Sequence, residues 1–284
     1  MNSSYEQKHP LYAASFTKRR KAMDLYEGGE RIEGNRAYLT RHTYESDKQY
    51  DIRASRATYR NFAAPIVDVF ASFINEGRPE RILPDALRPI EADADRYGMT
   101  ADAFFADVTR LAAAGGARFV IVDMEEKKGE TVAEDRASGR RMTPYFTSIS
   151  PDDVWDWGMD AKGLAWAVVH SEEMEHPAAF AAPLRYETLT VWTRDSWTRY
   201  RRPMKDKENT EYALSENGER RHGLGAVPLV PFLFEPTSPM TGLPATDDVL
   251  SLILRIYRRD SELDKMLFDR AVPLLNVGGV SQEH

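Results

Sequence analysis

The block from Asp95 to Trp157 does most to limit what this chain can fold into. It opens as an amphipathic helix, with Phe104, Val108 and Leu111 recurring at helical spacing and Phe105 and Ala112 beside them. Gly115 and Gly116 end that helix, because glycine takes the left-handed C-terminal position without a Cβ penalty. Phe119, Val120, Ile121 and Val122 then form a short run of β-formers that reads as a strand buried on both faces. The stretch from Glu125 to Arg141 is too charged to pack. The chain returns as a strand over Pro144–Ile149, turns at Ser150–Asp153, and continues through Val154–Trp157. A helix feeding a hydrophobic strand with an acidic end resembles an enzyme core, so the missing partners of that core must be sought.

Composition narrows the search. With 284 residues, 42% of them hydrophobic, the chain can bury a substantial core as one large or two smaller domains. A formal charge of −7 argues against a surface built to coat nucleic acid, although it permits a polyanion to pass without being gripped. The absence of cysteine excludes disulfides, thiolate catalysis and Cys-ligated zinc, and fits a reducing compartment. MNSSYEQKHPLY has no apolar core of a signal peptide, and no apolar run is long enough for a membrane span. A soluble protein made in the cytoplasm is expected.

Along the chain, Leu11–Tyr26 reads as a helix carrying the basic cluster Lys18, Arg19, Arg20 and Lys21, followed by a turn at Gly28-Gly29. Tyr38-Leu39 is an apolar island. Ser46–Asn75 reads as one long helix or as two joined at Ala64-Pro65, where a first-turn proline costs no hydrogen bond. After Trp157 the pattern becomes β, with a strand over Leu164–His170 and a hairpin of Tyr186–Trp192 with Ser196–Tyr200 around Arg194-Asp195. Met204–Gly218 reads as a charged, mobile excursion. Gly225–Phe234 is an apolar strand whose prolines put it at an edge or make it irregular, and Pro236–Pro244 reads as loop. Asp247–Ala271 is a long amphipathic helix with Asp247 and Asp248 at its positive end. Its expected apolar line is Val249, Leu252 or Ile253, Ile256, Leu263 and Leu267, with Arg258–Glu262 and Lys265–Asp269 pairs outside it.

Each constellation that invites chemistry lacks a part. Asp123 and Glu125 after the apolar strand mimic a Walker B acid, but no phosphate loop of the Gly-x-x-x-x-Gly-Lys-Ser/Thr type exists. Asp93 and Asp95 start like a calcium loop, yet Tyr97 and Phe104 stand at its fifth and twelfth positions; a helix start after Asp95 is the better account. His170, Glu172, Glu173, Glu175 and His176 offer ligands for a metal-dependent hydrolase, with Asp123 as a further acid, against the plainer reading of a solvated strand end. No nucleophile elbow is present. Trp155 and Trp157 could stack on a base or sugar, and more often such residues fill a core. The Lys18–Lys21 cluster reads as a wet helix face, and Asp123 as a strand-end residue facing solvent.

What remains is an order of elements, and it resembles a known family. His9-Pro10-Leu11-Tyr12, Gly28-Gly29, Tyr38-Leu39, Tyr50 and Arg53, Tyr59-Arg60-Asn61-Phe62 and the apolar helix to Gly77 are followed by the strongest part. That part is Ala94-Asp95 with Gly98-Met99, then Gly115-Gly116-Ala117-Arg118 leading into the Phe119–Asp123 strand. Pro144-Tyr145-Phe146, Ile149–Val154, Trp157, Gly225–Phe232 and Val272–Leu275 continue the order. In this order the chain resembles the N-terminal part of tailed-bacteriophage portal proteins, in a portal-like family once classed as of unknown function. The motifs span most of the chain.

The resemblance implies a structural protein rather than an enzyme, and no cofactor. It implies an α+β fold, a wing-like mixed domain followed by a long stem helix. Residues 1–79 would be the helical part of the wing, 80–244 its α/β core with a β-rich second half, 245–271 the stem helix, and 272–284 the start of a clip that the chain does not complete. Such proteins form a dodecameric ring at one capsid vertex of the virion after assembly in the host cytoplasm. Their implied partners are copies of themselves, the terminase large subunit, the major capsid or scaffolding protein and a head–tail adaptor; double-stranded DNA passes through without sequence-specific contact, and no membrane is involved. An acidic tunnel would keep sliding DNA from sticking. Arg255, Arg258, Arg259, Glu262 and Lys265 on the stem helix become candidates for the tunnel lining or for contacts between subunits. The competing readings are the metal-dependent hydrolase and a non-viral interaction module.

Overall fold

The structure is a computed structural model and describes residues 4–77, 79–125, 131–139, 142–206 and 211–271. Helices α1 (Pro10–Glu27), α2 (Asp47–Ala54), α3 (Ala63–Ile74), α4 (Pro89–Ala92) and α5 (Ala101–Gly115) lead into strand β1 (Ala117–Asp123). Helix α6 (Val132–Ala137) precedes β2 (Tyr145–Ile149), β3 (Val154–Asp160), β4 (Gly163–Glu175), β5 (Leu184–Thr193), β6 (Ser196–Pro203), β7 (Ala213–Arg221) and β8 (Leu229–Leu233). A short β9 (Glu235–Ser238) and β10 (Thr241–Leu243) come before α7 (Leu250–Ala271). The fold is α+β, and among the described residues every strand pair is antiparallel.

The chain divides into two compact units, neither contiguous in sequence. A sheet-rich unit takes residues 1–20 and 67–245, and a helical unit takes 21–66 and 246–284. The chain passes between them inside α1, inside α3 and after Ala245. Residues 1–79 thus contribute to both units, 80–244 lie in the sheet-rich unit, and the helix after Thr246 lies in the helical unit. Residues 272–284 lie outside the described residues.

In the sheet-rich unit the α5–β1 junction follows from local chemistry. Thr100 Oγ1 accepts a hydrogen bond from the Ala103 N–H at 3.3 Å and caps α5. Helix α5 begins at Ala101 and not just after Asp95, because Asp93 and Asp95 use their carboxylates on the loop itself. Asp95 accepts from Tyr97 N and Met99 N, and Asp93 from Gly98 N. Gly116, at φ +85, donates its N–H to Ala112 O and closes the helix. A Cβ there would strike the carbonyl of Gly242, so this glycine is needed for both its φ and its lack of a side chain.

Strand β1 is central in the three-stranded order β2-β1-β8 and is buried on both faces. Phe119 and Ile121 join Trp155, Trp157, Leu189, Trp192 and Leu229, while Val120 joins Phe104, Val108 and Ile90. A continuous apolar run therefore marks coverage on both sides, not parallel pairing. Strand β8, which contains Pro231, sits at the edge, as the prolines of the Gly225–Phe234 run predict. The five-stranded sheet β3-β4-β5-β6-β7 supplies most of the larger core.

Four sequence expectations need correction here. The charged Glu125–Arg141 stretch contains α6, with Asp135 buried. The Leu164 strand runs on to Glu175, because its acidic residues have arginine partners on β5 and β6: Arg185 with Glu172, Arg199 with Glu173 and Arg201 with Glu175. Residues 213–218, read as part of a mobile excursion, belong to β7 and pair with β6. Residues 235–243 form the β9–β10 ribbon rather than a loop.

The helical unit packs Leu25, Ile32, Leu39, Tyr50 and Tyr59 against Leu250, Ile253, Leu254 and Tyr257. The Ser46–Asn75 segment is two helices, and the break is at Ser55–Phe62 rather than at Ala64-Pro65. A capping box between Ser46 and Gln49 starts α2, and Asn61 Oδ1, accepting from Ala64 N at 2.9 Å, starts α3. On α7 the buried stripe is Leu250, Ile253, Leu254, Tyr257 and Ser261, while Leu252, Leu263 and Leu267 are exposed. Of the expected apolar line, Val249 and the alternative Ile253 pack in this core, Ile256 is half-buried, and Leu252, Leu263 and Leu267 form a second stripe. The centre of that second stripe lies about 130° of helix rotation from the centre of the buried one.

Candidate functional site

The stem-helix candidates fall into two groups. Arg258, Glu262 and Lys265 are engaged within the helical unit. Arg258 Nε donates to Tyr38 O at 2.7 Å, Glu262 lies 3.3 Å from His42 Nε2, and Lys265 Nζ lies 3.4 Å from Glu45 Oε1. The expected Arg258–Glu262 pair therefore does not form, since both side chains have longer-range partners. The Asp269 side chain lies outside the described set, so the Lys265–Asp269 pair is not tested. Arg255 and Arg259 are exposed on the same helix.

Lys265 leads to a centre that the sequence did not single out. Arg53 donates from Nε and Nη2 to the two oxygens of Glu45 at 2.9 and 2.7 Å, and from Nη1 to Ser261 Oγ at 3.2 Å. Both side chains of the ion pair are 2% exposed. The fork geometry satisfies the guanidinium, with Thr40 O taking a further N–H at 2.9 Å. Hydrogen bonding from Arg53, against the opposing cost of burial, lowers the Glu45 carboxyl to about 2.

In the sheet-rich unit His170 has a defined place on β4. Its Nδ1 lies 3.3 Å from Asp153 Oδ1 and its Nε2 3.1 Å from Glu187 Oε1, and its ring stacks on Trp155 at 4.4 Å. Glu187 is buried and also accepts from Arg202 Nε at 2.8 Å, while Arg202 Nη2 reaches Glu6 at 2.8 Å. Burial, reinforced by Glu187, raises the pKa of the nearby Tyr212 phenol. This network was partly legible. The two-residue turn at Arg194-Asp195 sets the β5–β6 register, and that register puts Glu187 opposite Arg202.

The metal candidates are not brought together as a ligand set. His170 uses both nitrogens on Asp153 and Glu187, Glu172 pairs with Arg185, and His176 is exposed beyond the end of β4. Asp123 accepts from the Tyr145 hydroxyl at 2.9 Å and is half-buried, so it is not simply a solvent-facing strand end. Burial first, and then the Asp123 charge, push the Tyr145 phenol up. Among the described residues no group of three or more His, Cys, Asp or Glu is arranged to hold a metal ion.

Trp155 and Trp157 are both core residues. His9 stacks on Trp157 at 4.0 Å, and Lys8 Nζ lies 4.3 Å from the centre of the Trp155 ring. Within the basic cluster Lys18 and Arg20 are exposed, but Arg19 is 5% exposed and binds Asp152 at 3.0 Å. The wet-face reading fails for that residue. A half-open cleft of about 590 Å³ lies beside the end of β1, with Asp123, Glu125, Trp197, Arg221 and His222 in its lining. His222 Nε2 is spent on Thr193 O at 3.1 Å and Glu125 on Arg96, so the cleft gathers no nucleophile–base pair.

Compared with known proteins, the chain matches no protein-family model, and no curated sequence matches it significantly. Among the described residues no helix is long and apolar enough to cross a membrane.

Proposed function

We propose that this chain acts mechanically, as the wing and first stem helix of a tailed-phage portal ring through which double-stranded DNA is packaged and ejected. The ring would stand at a capsid vertex of the virion and dock the terminase large subunit, the capsid or scaffolding protein and a head–tail adaptor. The observation that carries the reading is the second apolar stripe of α7. Leu250, Ile253, Leu254 and Tyr257 already anchor the helix in its own unit, yet Leu252, Leu263 and Leu267 remain more than half exposed. A 22-residue helix with apolar stripes on two sides is suited to sit between its own body and a neighbour. The ordered motifs from His9 to Phe232 support the same reading. Arg255 and Arg259, exposed on α7, are the cations proposed to face the tunnel or an adjacent copy.

Electron microscopy of the purified chain tests this directly. Closed rings with rotational symmetry, twelve-fold in the family, are expected, and Leu263→Lys with Leu267→Lys should disperse them. Particles without rotational symmetry at every concentration would sink the reading.

A further inference from the structure

Helix α3 keeps a face that its own chain does not cover. Val67 and Ala71 are buried and Phe70 meets Phe234 at 5.6 Å, but Val69 is 52% exposed and Phe73, one turn on, 71%. Asp68 and Ser72 are the only polar residues in the helix, and a helix this apolar is normally surrounded. Asp68, at the margin of the open face, is already engaged in its own chain. Glu76 stands in the turn that closes α3, at the negative end of the helix dipole, where a carboxylate is disfavoured. It is exposed and pairs with no cation among the described residues. An open apolar face beside an unpaired acid points to a partner of positive charge.

The second stripe of α7 has that chemistry. Arg255, Arg259 and Arg270 are exposed along Leu252, Leu263 and Leu267, and none of the three meets a carboxylate among the described residues. Asp260, at the edge of the stripe, is held by Arg60 at 3.7 Å. The spacings also agree. Leu267, Leu263 and Arg259 recur every four residues, about 6 Å apart along the axis, while Val69, Phe73 and Glu76 follow at four and then three, about 6 and 4.5 Å. Laid antiparallel, the two helices set Val69 against Leu267, Phe73 against Leu263 and Glu76 against Arg259. The acid beside the apolar face thus meets an unpaired cation and is not buried alone.

We propose that α3 of one copy packs antiparallel on the second stripe of α7 of the next copy, with Glu76 paired to Arg259. The two surfaces differ, so the contact is heterologous: each copy offers one of each, and copies join head to tail. The inference names the neighbour's half of the α7 contact and rests on the ring reading for closure of the series, whereas the contact itself does not need closure.

Arg259→Glu and Glu76→Arg, made separately in the full chain, test it by sedimentation velocity and electron microscopy. Each sets like charges face to face and should weaken self-association about tenfold. Thermal stability should not change, because both side chains are exposed. Phe73→Ala should weaken association about thirty-fold, the size expected when an aromatic anchor is lost from an interface centre. The double variant should assemble like the parent. A mixture of the two reversals should also assemble, with copies alternating, since each copy then meets an opposite charge on both sides. Assemblies that survive Phe73→Ala or either reversal, or reversals that neither mixing nor combination rescues, overturn the inference and leave the ring reading standing. Closed two-fold dimers that obey the same rescue support the contact and overturn the ring. A wild-type chain that stays monomeric at high concentration overturns both.

Discussion

Two arginines hold carboxylates with nearly the same bond lengths, one in each unit. Arg53 reaches Glu45 at 2.7 and 2.9 Å in the helical unit, and Arg194 reaches Asp160 at 2.6 and 2.8 Å in the sheet-rich unit. Both carboxyls are lowered to about 2, chiefly by the arginine hydrogen bonds. Their surroundings differ. The Glu45 and Arg53 side chains are 2% exposed, whereas Asp160 is 45% exposed and Arg194 24%. An exposed pair exchanges one well-solvated state for another, while a buried pair that loses one partner strands a charge without water. The same perturbed carboxyl thus marks a structural centre in one unit and a surface fastening in the other. The sheet-rich unit keeps its own buried pair, Glu187 with Arg202, and adds to it a close backbone fit at the α5–β1 junction.

That contrast orders the expected effects. The largest belongs to backbone fit: Gly116→Val forces a positive φ on a β-branched residue and drives its side chain into Gly242, costing about 4 kcal/mol or more. All five tryptophans lie in the sheet-rich unit, so urea unfolding followed by tryptophan fluorescence reads this loss. A variant unfolding like the parent would show that the α5–β1 junction can relax.

Next, Arg53→Ala should cost about 3 kcal/mol by leaving Glu45 buried and alone, measured as an earlier loss of helical circular dichroism. An unchanged midpoint would put the pair in the same class as Arg194–Asp160.

Acid should act on the same centre. Glu45 is depressed in the folded state, so its contribution is complete above the ordinary value of 4.5 and is lost as pH falls through about 2. The helical signal should lose roughly 2 kcal/mol of stability over that window. Glu45→Gln should flatten the dependence, and an equally steep curve in that variant would assign the effect elsewhere.

The smallest effect is expected of Arg194→Ala, whose unfolding midpoint should match the parent within error, with and without added salt. A clear loss would show that the exposed pair is structural after all.

The sequence disclosed what depends on near neighbours. Thr100, Gly116 and the Phe119–Val122 run announce the α5–β1 junction, because capping and left-handed termination are local events. It hid what depends on matching across distance. Glu172, Glu173 and Glu175 resemble a solvated end until β5 and β6 bring Arg185, Arg199 and Arg201 beside them. On α7 two apolar stripes compete, and helical periodicity cannot say which one the rest of the chain will cover. Among the proposed site residues, Arg258 and Lys265 were legible as helix-surface cations, but not as partners of Tyr38 and Glu45. Arg53 appeared only as a family-like motif residue, since its link to Ser261 spans 208 positions.

The interleaving of the two units also bears on how the protein is made. Leu25, Ile32, Leu39 and Tyr50 leave the ribosome long before Leu250, Ile253, Leu254 and Tyr257, which complete their core. At 5–20 residues per second, a delay of about 200 residues is about 10–40 s. Tyr12 likewise waits for Val154 and Trp155, and β1 for its β8 neighbour. The nascent chain therefore carries uncovered apolar surface throughout that interval, and completion of the core joins helices made about 200 residues apart. A protein wired in this way depends on being kept from aggregation until Leu250–Tyr257 have been made, and a ribosome that stalls before Leu250 leaves a chain with a helical core still open.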